Sequence, residues 1–450
     1  MPRRGRPTHY SRHRGCSPFY RKRTAGGGRG FLKEDIYMRR VVITGLGVVS
    51  PVGIGKEAFW DSLIHGRSGI TRITRFDPSD FPSQIAGEVK DFNPEDFIPK
   101  GASKISRFSQ FAVAAAKMAV EDAGLDISSD PYRIGACFGT SIGGGGWPFE
   151  KAHLEFLNKG PEGVWPFAAL EYSSHAPTSY VCIFLGIQGP GVTVASACAT
   201  GLDVIEWGRT QIRSGKLKAV IVGGTEAPLY PFSFAAFCAT GTLSSRNEEP
   251  KRASRPYDLY RNGLVLSEGA AAVVLEDMDY ALDRGARIYA EVVGFSGASE
   301  GMHLRKVDLE GKTLARAIKR ALDDANLNPE EVDYICAHGN SMPDYDISET
   351  NAFKKALGEY VYHIPISSIK SVMGQPLGSA GAFQVVSSCM SLKYNLIPPT
   401  INLEVPDPRC DLDYVPNQAR SARIRTVLMN AHSLGGMHSV LVLRNPGATK

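Results

Sequence analysis

The amino-acid sequence predicts an α/β protein built from two similar halves, each rich in strand–helix–strand units. From Arg39 onward, short strand-like runs alternate with amphipathic helices, which is typical of sheets layered with helices. The order of elements recurs more loosely in the second half, and both halves end on a strand, a glycine turn and a second strand. We place the boundary near residues 280–295, which gives halves of 38–288 and 289–447. We expect any site at the junction where their strand ends meet.

The elements of the first half follow a regular order. The segment RRVVITGLGVVSPVG predicts a strand, a glycine turn and the start of a helix. The apolar spacing of KISRFSQFAVAAAKMAVEDAGL predicts a helix that ends at Gly124. We expect a strand and a glycine loop in YRIGACFGTSIGGGG, and a strand, a tight turn and a long helix in GVTVASACATGLDVIEWGRTQIRSG. A strand at KAVIVGGTE and a hairpin at GLVLSEGAAAVVLEDM complete this half.

The second half repeats this plan. A strand at IYAEVVGFSGAS precedes a helix at GKTLARAIKRALDDANL and a strand at VDYICAHGN. The glycine-rich turn IKSVMGQPLGSAG then leads from a strand into a helix of small residues, AFQVVSSCMSLKYN. The last segment, RTVLMNAHSLGGMHSVLVLR, predicts two strands around a glycine turn.

Charge is unevenly distributed along the 450 residues. The net charge is +5, but residues 1–37 hold ten Arg or Lys against two acidic residues, so the remainder carries −3. That remainder has no electrostatic footprint for nucleic acid. The basic segment lacks apolar periodicity and predicts a disordered extension. We favour a dispensable extension, or a start at Met38, over an organelle transit peptide, because no amphipathic pattern is present.

The cysteine pattern and the hydropathy restrict the environment. The eight cysteines form no CxxC pair or zinc spacing, and several lie in apolar runs where a buried free thiol is the default. This pattern favours a reducing, cytoplasmic location. No apolar stretch is long enough to span a bilayer, so we expect no membrane insertion.

Cys198 and His338 are the strongest candidates for chemistry. In VASACATGLD, Cys198 lies at a strand-to-helix turn among small residues. The following helix N-terminus is expected to lower the thiol pKa and so favour a nucleophile. In YICAHGNSMPDYDISE, His338 follows a buried strand, beside a glycine that allows a ligand to approach closely. A buried structural side chain is the alternative at each position.

Three other patterns are less informative. GLGVVSPVG is similar to a dinucleotide-binding turn, but Ser50 replaces the third glycine and no acidic residue follows at the required distance. GTSIGGGG lacks the Lys-Ser/Thr pair of a phosphate-binding loop. His432 and His438 suggest a metal site, but the glycine turn between them fits no standard ligand spacing, so we expect no metal.

Four segments together resemble the β-ketoacyl-acyl-carrier-protein synthases, most of all the synthase II type, within the thiolase-fold superfamily. They are SACATG, AHGNSMPDYDISE, KSVMGQPLGSAG and NAHSLGGMHS, in the order and near the spacing of that family. The resemblance covers about residues 39–444. It implies a thiolase-like fold in which the duplicated halves form a five-layered αβαβα core.

The same resemblance implies a reaction and its partners. Such enzymes condense malonyl-acyl-carrier protein, with loss of CO₂, onto an acyl group held on a cysteine, here Cys198. The substrates arrive on the phosphopantetheine arm of acyl carrier protein, so no separate cofactor and no metal are implied. A homodimer is expected, or a heterodimer with a second ketosynthase, in fatty-acid or polyketide elongation.

One departure from the family affects catalysis. Members use a cysteine and two histidines; Cys198 and His338 match, but Gln375 occupies the second histidine position. A glutamine amide has two N–H donors and no proton to transfer, so it can replace histidine as an oxyanion donor but not as an acid or base. We expect His338 and Gln375 to hold the malonyl thioester oxygen. The backbone N–H groups of Cys198 and Leu434 would form the oxyanion hole for acyl transfer, and Lys370 would order His338 or a neighbouring backbone segment.

Other departures concern substrate binding. Asn340 and Met342 stand where the family has threonines that help to hold the pantetheine arm. Ser433 and Leu434 replace a Gly-Phe pair whose phenylalanine gates the nucleophile, which suggests a looser gate. Gln384 replaces a glutamate in the following helix.

Two alternatives to a condensing enzyme stay open. One is a non-condensing partner subunit, similar to the chain-length factors, that shapes the tunnel of another ketosynthase. Such partners characteristically lose the cysteine, whereas Cys198 is present. The other alternative is an acyltransferase or thioester hydrolase that loads Cys198 but never decarboxylates.

Overall fold

The computed structural model describes residues 39–447, and the basic extension predicted for residues 1–37 lies outside them. The strands are β1 (Val41–Ser50), β2 (Gly53–Ile54), β3 (Ile70–Arg72), β4 (Ile85–Gly87), β5 (Ile134–Gly139), β6 (Gly191–Val194), β7 (Ala219–Glu226), β8 (Gly269–Asp277), β9 (Ala290–Ser299), β10 (Tyr334–Cys336), β11 (Ile366–Ser367), β12 (Leu396–Ile397), β13 (Arg420–Ser421), β14 (Thr426–His432) and β15 (Met437–Arg444). The α-helices are α1 (Lys56–Ile64), α2 (Arg107–Ala123), α3 (Trp147–Lys159), α4 (Ala168–Glu171), α5 (Ala176–Leu185), α6 (Thr200–Arg213), α7 (Pro231–Ala239), α8 (Met278–Asp283), α9 (Lys312–Ala325), α10 (Pro343–Leu357), α11 (Lys370–Met373) and α12 (Ala380–Tyr394). None of the helices in this part of the chain is long and apolar enough to cross a membrane.

The order of strands in the main sheet shows the duplication directly. That order is β11-β10-β14-β15-β9-β1-β8-β7-β5-β6. Strand β2 pairs only with β1 and is left out of this order. The first half then contributes β1, β5, β6, β7 and β8, and the second half contributes β9, β10, β11, β14 and β15. Counted in this way, each half places its third, second, fourth, fifth and first strand in turn from the outer edge inward. In both halves the third, second and fourth strands are parallel, and the fifth is antiparallel to its two neighbours. β1 and β9 join the halves as an antiparallel pair. The predicted duplicated α/β fold is confirmed.

Helices fill the layers between and outside the strands. In the centre, α6 packs on β5 and β7, α12 packs on β14, and the two helices contact each other. On the outer faces, α2 and α5 cover the first half, and α9 covers the second with α10 beside it. Alternate strand residues serve different layers: in β5, Cys137 faces the central helices while Ala136 and Phe138 face α2. The result is the five-layered αβαβα core of a thiolase-like fold.

Two predictions of local structure were wrong. Gly45 and Gly47 do not end the first strand but lie within β1, where it packs on α2. A Cβ added to Gly47 would lie 1.9 Å from the carbonyl oxygen of Ala115, so glycine permits close strand–helix contact rather than a turn. The predicted hairpin at residues 263–278 contains one strand, β8, whose partners β1 and β7 come from elsewhere in the chain. Before β8, Leu266 makes only an isolated bridge, to Gln375.

Candidate active site

Three turns bring Cys198, Gln375 and Leu434 together, and His338 lies in a fourth turn. Cys198 lies in a 3-10 turn between β6 and α6, and His338 follows β10. Gln375 lies between α11 and α12, and Leu434 lies in the turn of the β14–β15 hairpin. β6 belongs to the first half and the other three turns to the second. The site therefore forms at the junction of the halves, as the sequence predicts.

The sulfur of Cys198 has two N–H donors beside it. Gln375 Nε2 lies 3.4 Å from Cys198 Sγ, and the backbone N–H of Leu434 also points at the sulfur. Ser433 fixes this arrangement, because its Oγ accepts from Ala199 N at 2.9 Å and donates to the carbonyl of Ser196 at 3.0 Å. The turn of the β14–β15 hairpin is thus hydrogen-bonded directly to the turn that contains Cys198.

The pKa of the thiol moves in the direction opposite to the prediction. Burial raises the pKa of Cys198 to about 11, although Lys370, Gln375 and Leu434 each act to lower it. The prediction of a lowered thiol pKa was therefore wrong. The cost of desolvating a thiolate in an enclosed site exceeds the stabilisation from the helix N-terminus and the nearby donors. Burial therefore favours the neutral thiol form of Cys198.

His338 is a buried, neutral imidazole with free bonding capacity. Burial, with a contribution from the Lys370 charge, holds its pKa well below the usual range. Neither ring nitrogen has a hydrogen-bond partner within residues 39–447. Lys370 Nζ donates to the carbonyl oxygen of His338 at 2.7 Å, and Glu349 accepts from the His338 N–H at 2.7 Å. The backbone is thus held while the ring remains available to a ligand.

The backbone of Gln375 is also fixed while one side-chain atom stays unused. Its N–H donates to Val265 at 2.7 Å, and its carbonyl accepts from Ser267 at 3.0 Å. Its Oε1 is buried without a partner in the described chain. The ring nitrogens of His338 and the Oε1 of Gln375 are thus buried polar atoms with unused hydrogen-bonding capacity.

The remaining predicted residues differ in what they contact. Asn340 Oδ1 accepts from Met342 N at 3.0 Å, so the Asn340 oxygen is used within its own turn. The Met342 side chain packs against the apolar cluster that contains Cys198, Phe234 and Leu377. The Nε2 of Gln384 donates to three carbonyl oxygens, those of Cys336, Ala337 and Asn430.

Sequence reasoning missed the carboxylates that support this site. Glu349 accepts from His338 N, Gly339 N, Tyr257 Oη and Asn430 Nδ2. Asp346, one turn earlier on α10, accepts from Asn340 N at 3.2 Å. Asp346 and Glu349 are three residues apart in the segment DYDISE, which places them on one face of a helix. This spacing was the signal available in the sequence.

A duplicated α/β fold with a cysteine at a helix N-terminus and a buried neutral histidine is the arrangement of a thiolase-fold acyltransferase. The family described as Beta-ketoacyl synthase, N-terminal domain, matches residues 38–281, and its C-terminal domain matches residues 289–404. The chain belongs to the β-ketoacyl synthase family.

Relatives include 3-oxoacyl-[acyl-carrier-protein] synthases and polyketide ketosynthases. The 3-oxoacyl-[acyl-carrier-protein] synthase 2 of Coxiella burnetii is 44% identical over 90% of this chain and 98% of its own. The tetracenomycin polyketide synthase ketoacyl synthase alpha subunit of Streptomyces glaucescens is 40% identical over 92% of this chain and 98% of its own. Among solved structures, the ishigamide ketosynthase/chain length factor matches with a TM-score of 0.85 at 35% identity, over 91% of this chain and 100% of that one. A type II polyketide ketosynthase bound to its acyl-carrier protein, AntDE:AntF, matches with a TM-score of 0.84 at 36% identity, over 90% and 99% of the two chains.

Proposed function

We propose that the chain is a β-ketoacyl-acyl-carrier-protein synthase in fatty-acid or polyketide elongation, with the acyl group carried on Cys198. The names of the relatives support a condensing ketosynthase. The observation that carries the proposal is the pair of N–H donors, from Gln375 and Leu434, at the sulfur of Cys198. Although Gln375 replaces the second histidine of the family, the site still has N–H donors that point at the sulfur of Cys198.

In the first half-reaction the sulfur of Cys198 attacks the acyl thioester of the carrier protein. The C–S bond to the phosphopantetheine sulfur breaks, and the proton of Cys198 passes to that leaving sulfur. Negative charge develops on the thioester oxygen, which the N–H groups of Cys198 and Leu434 stabilise. Because burial raises the pKa of the Cys198 thiol, the attack includes transfer of this proton.

In the second half-reaction the malonyl thioester loses CO₂, and its carbanion attacks the acyl carbon on Cys198. The new C–C bond forms as the C–S bond of the acyl-enzyme breaks, and the departing Cys198 sulfur takes up one proton from water. Neutral His338 and the amide of Gln375 donate to the malonyl thioester oxygen while charge accumulates there. These steps use groups of the chain and substrates on the carrier protein, with no separate cofactor.

We also propose a dimer, either of this chain or with a second ketosynthase. The solved complexes named above pair such chains with a chain length factor or an acyl-carrier protein. Strand β6 pairs on one side only within residues 39–447, and Ile183 on the adjacent α5 is 68% exposed. An unpaired strand edge beside exposed apolar side chains favours a protein interface.

The seven described cysteines are free thiols, which supports a reducing, cytoplasmic setting.

The test follows each half-reaction separately. The protein is incubated with acyl-carrier proteins of several chain lengths, and the acyl adduct is sought by intact mass, with Cys198→Ala as control. Malonyl-carrier protein is then added, and CO₂ and the β-ketoacyl product are measured. Adduct followed by both products is the expected result. No adduct would support the non-condensing partner, and adduct without CO₂ would support an acyltransferase.

A further inference from the structure

A second group of polar side chains lies behind the hairpin turn that carries Leu434. In the β14–β15 hairpin, His432 is directly opposite His438. β15 also pairs with β9, with Met437 opposite Ser299, so Glu300 follows at the end of that pairing. Strand β14, strand β15 and the residue that follows β9 therefore each contribute one side chain to the same place. Within the described residues this is the one group of three or more His, Cys, Asp or Glu side chains with metal-binding geometry.

The three side chains converge on one point and are enclosed. Glu300 Oε1 lies 3.0 Å from His438 Nε2 and 3.6 Å from His432 Nε2, and all three ligand atoms lie within 4.8 Å of one another. Each of the three side chains is 1% exposed. Neither Nδ1 atom has a hydrogen-bond partner in residues 39–447, and His432 Nε2 has none within bonding distance.

The neighbouring backbone is shaped to hold the carboxylate. Glu300 Oε2 accepts from Asp308 N at 3.1 Å, which fixes the orientation of the carboxylate and leaves Oε1 for the histidines. Gly436 has a φ of +73°, and a Cβ there would lie 2.8 Å from the Cβ of Glu300. A side chain at position 436 would therefore displace the carboxylate. The close approach of this glycine makes room for Glu300.

We propose that Glu300, His432 and His438 bind a divalent transition-metal ion of the Zn²⁺ class. Ligands about 2.0–2.1 Å from a tetrahedral zinc are about 3.3 Å apart, close to the two oxygen–nitrogen separations observed. Two imidazoles and one carboxylate suit this class of ion, and the carboxylate is itself held by a hydrogen bond, as ligating carboxylates are. The spacing of His432 and His438 along the chain did not reveal the cluster, because its third member, Glu300, lies just after β9 and is distant in the sequence.

A bound ion accounts for the cluster better than a proton-shared network does. Two imidazoles with ring centroids 4.3 Å apart and planes tilted by 47° share a single carboxylate oxygen, so one of them always lacks a full hydrogen bond. An ion pairs with both Nε2 atoms and with the carboxylate at once. Its role is structural: it joins the end of β9 to the hairpin whose turn supplies Ser433 and Leu434. It takes no part in the condensation proposed above.

The test uses the full chain and Zn²⁺ alone. Protein is treated with chelator, and Zn²⁺ binding is followed by calorimetry, by metal content after dialysis and by the rise in thermal midpoint. Co²⁺ is then bound to look for visible absorption of a four-coordinate site. The variants are Glu300→Gln, His432→Asn and His438→Gln. The matched control is His363→Asn, which removes an exposed histidine outside the cluster. The control and the cluster variants all retain residues 1–37.

We expect one tightly held equivalent in wild type and in His363→Asn, and affinity weaker by about 100-fold or more in each cluster variant. Circular dichroism identifies any variant that fails to fold, and the wild-type Co²⁺ spectrum then decides by itself. The proposal is overturned if the wild-type chain binds no equivalent, or if the cluster variants bind as it does. None of these readouts depends on ketosynthase activity, so failure here leaves the proposed function untouched.

Discussion

Replacing Gln375 with alanine tests the assigned role of this amide. The change removes the Nε2 donor that lies 3.4 Å from Cys198 Sγ, in a side chain that is 1% exposed. Donation to a neutral sulfur at this distance is worth on the order of 1 kcal/mol, so acylation should slow by about tenfold or less. In decarboxylation the same amide faces a developing oxyanion, and loss of one such donor costs about 3–4 kcal/mol. Condensation should therefore fall by about 10²–10³.

The two rates are measured on the same preparations. Acylation is followed by the intact-mass adduct on Cys198, and condensation by CO₂ release from malonyl-carrier protein with pre-acylated enzyme. Gln418→Ala removes an exposed glutamine and serves as the matched control. Gln375→His restores a neutral N–H donor and should recover most of the condensation rate. Equal losses in acylation and condensation for Gln375→Ala would refute the role assigned to the amide.

Three further predictions concern other positions. Cys198→Ala should give no acyl adduct by intact mass while keeping its thermal midpoint; an adduct on another residue would contradict the assigned nucleophile. Burial raises the pKa of Glu226 to about 7, so the folded state holds the proton more tightly and stability should fall as pH rises from about 4.5 to 7, by about 3 kcal/mol in total. Denaturant unfolding of Glu226→Gln should lack this fall, and a pH profile identical to wild type would exclude it. Gly47→Ala places a Cβ against the Ala115 carbonyl and should lower the free energy of unfolding by roughly 1–3 kcal/mol; unchanged unfolding would show that α2 moves aside freely.

The site was more predictable in its members than in its electrostatics. Cys198, Gln375 and Leu434 lie in contact, in turns that the sequence marks by glycine and small residues at strand ends, which are local features of the chain. The direction of the thiol pKa was missed because it depends on burial, which the turn sequence does not encode. Gly47 was assigned to a turn because the sequence alone does not distinguish a glycine that makes room for a neighbouring helix from one that bends the chain.

By itself the sequence determined the duplicated α/β plan, the order of most elements and the residues that surround the sulfur. Period, turn chemistry and small-residue runs are properties of neighbouring positions, so they are visible before the chain folds. Only the tertiary structure placed Glu300 beside His432 and His438, because the register of three strands brings distant positions side by side. Only the tertiary structure enclosed Cys198 and left it a neutral thiol, because desolvation is the sum of everything packed around it.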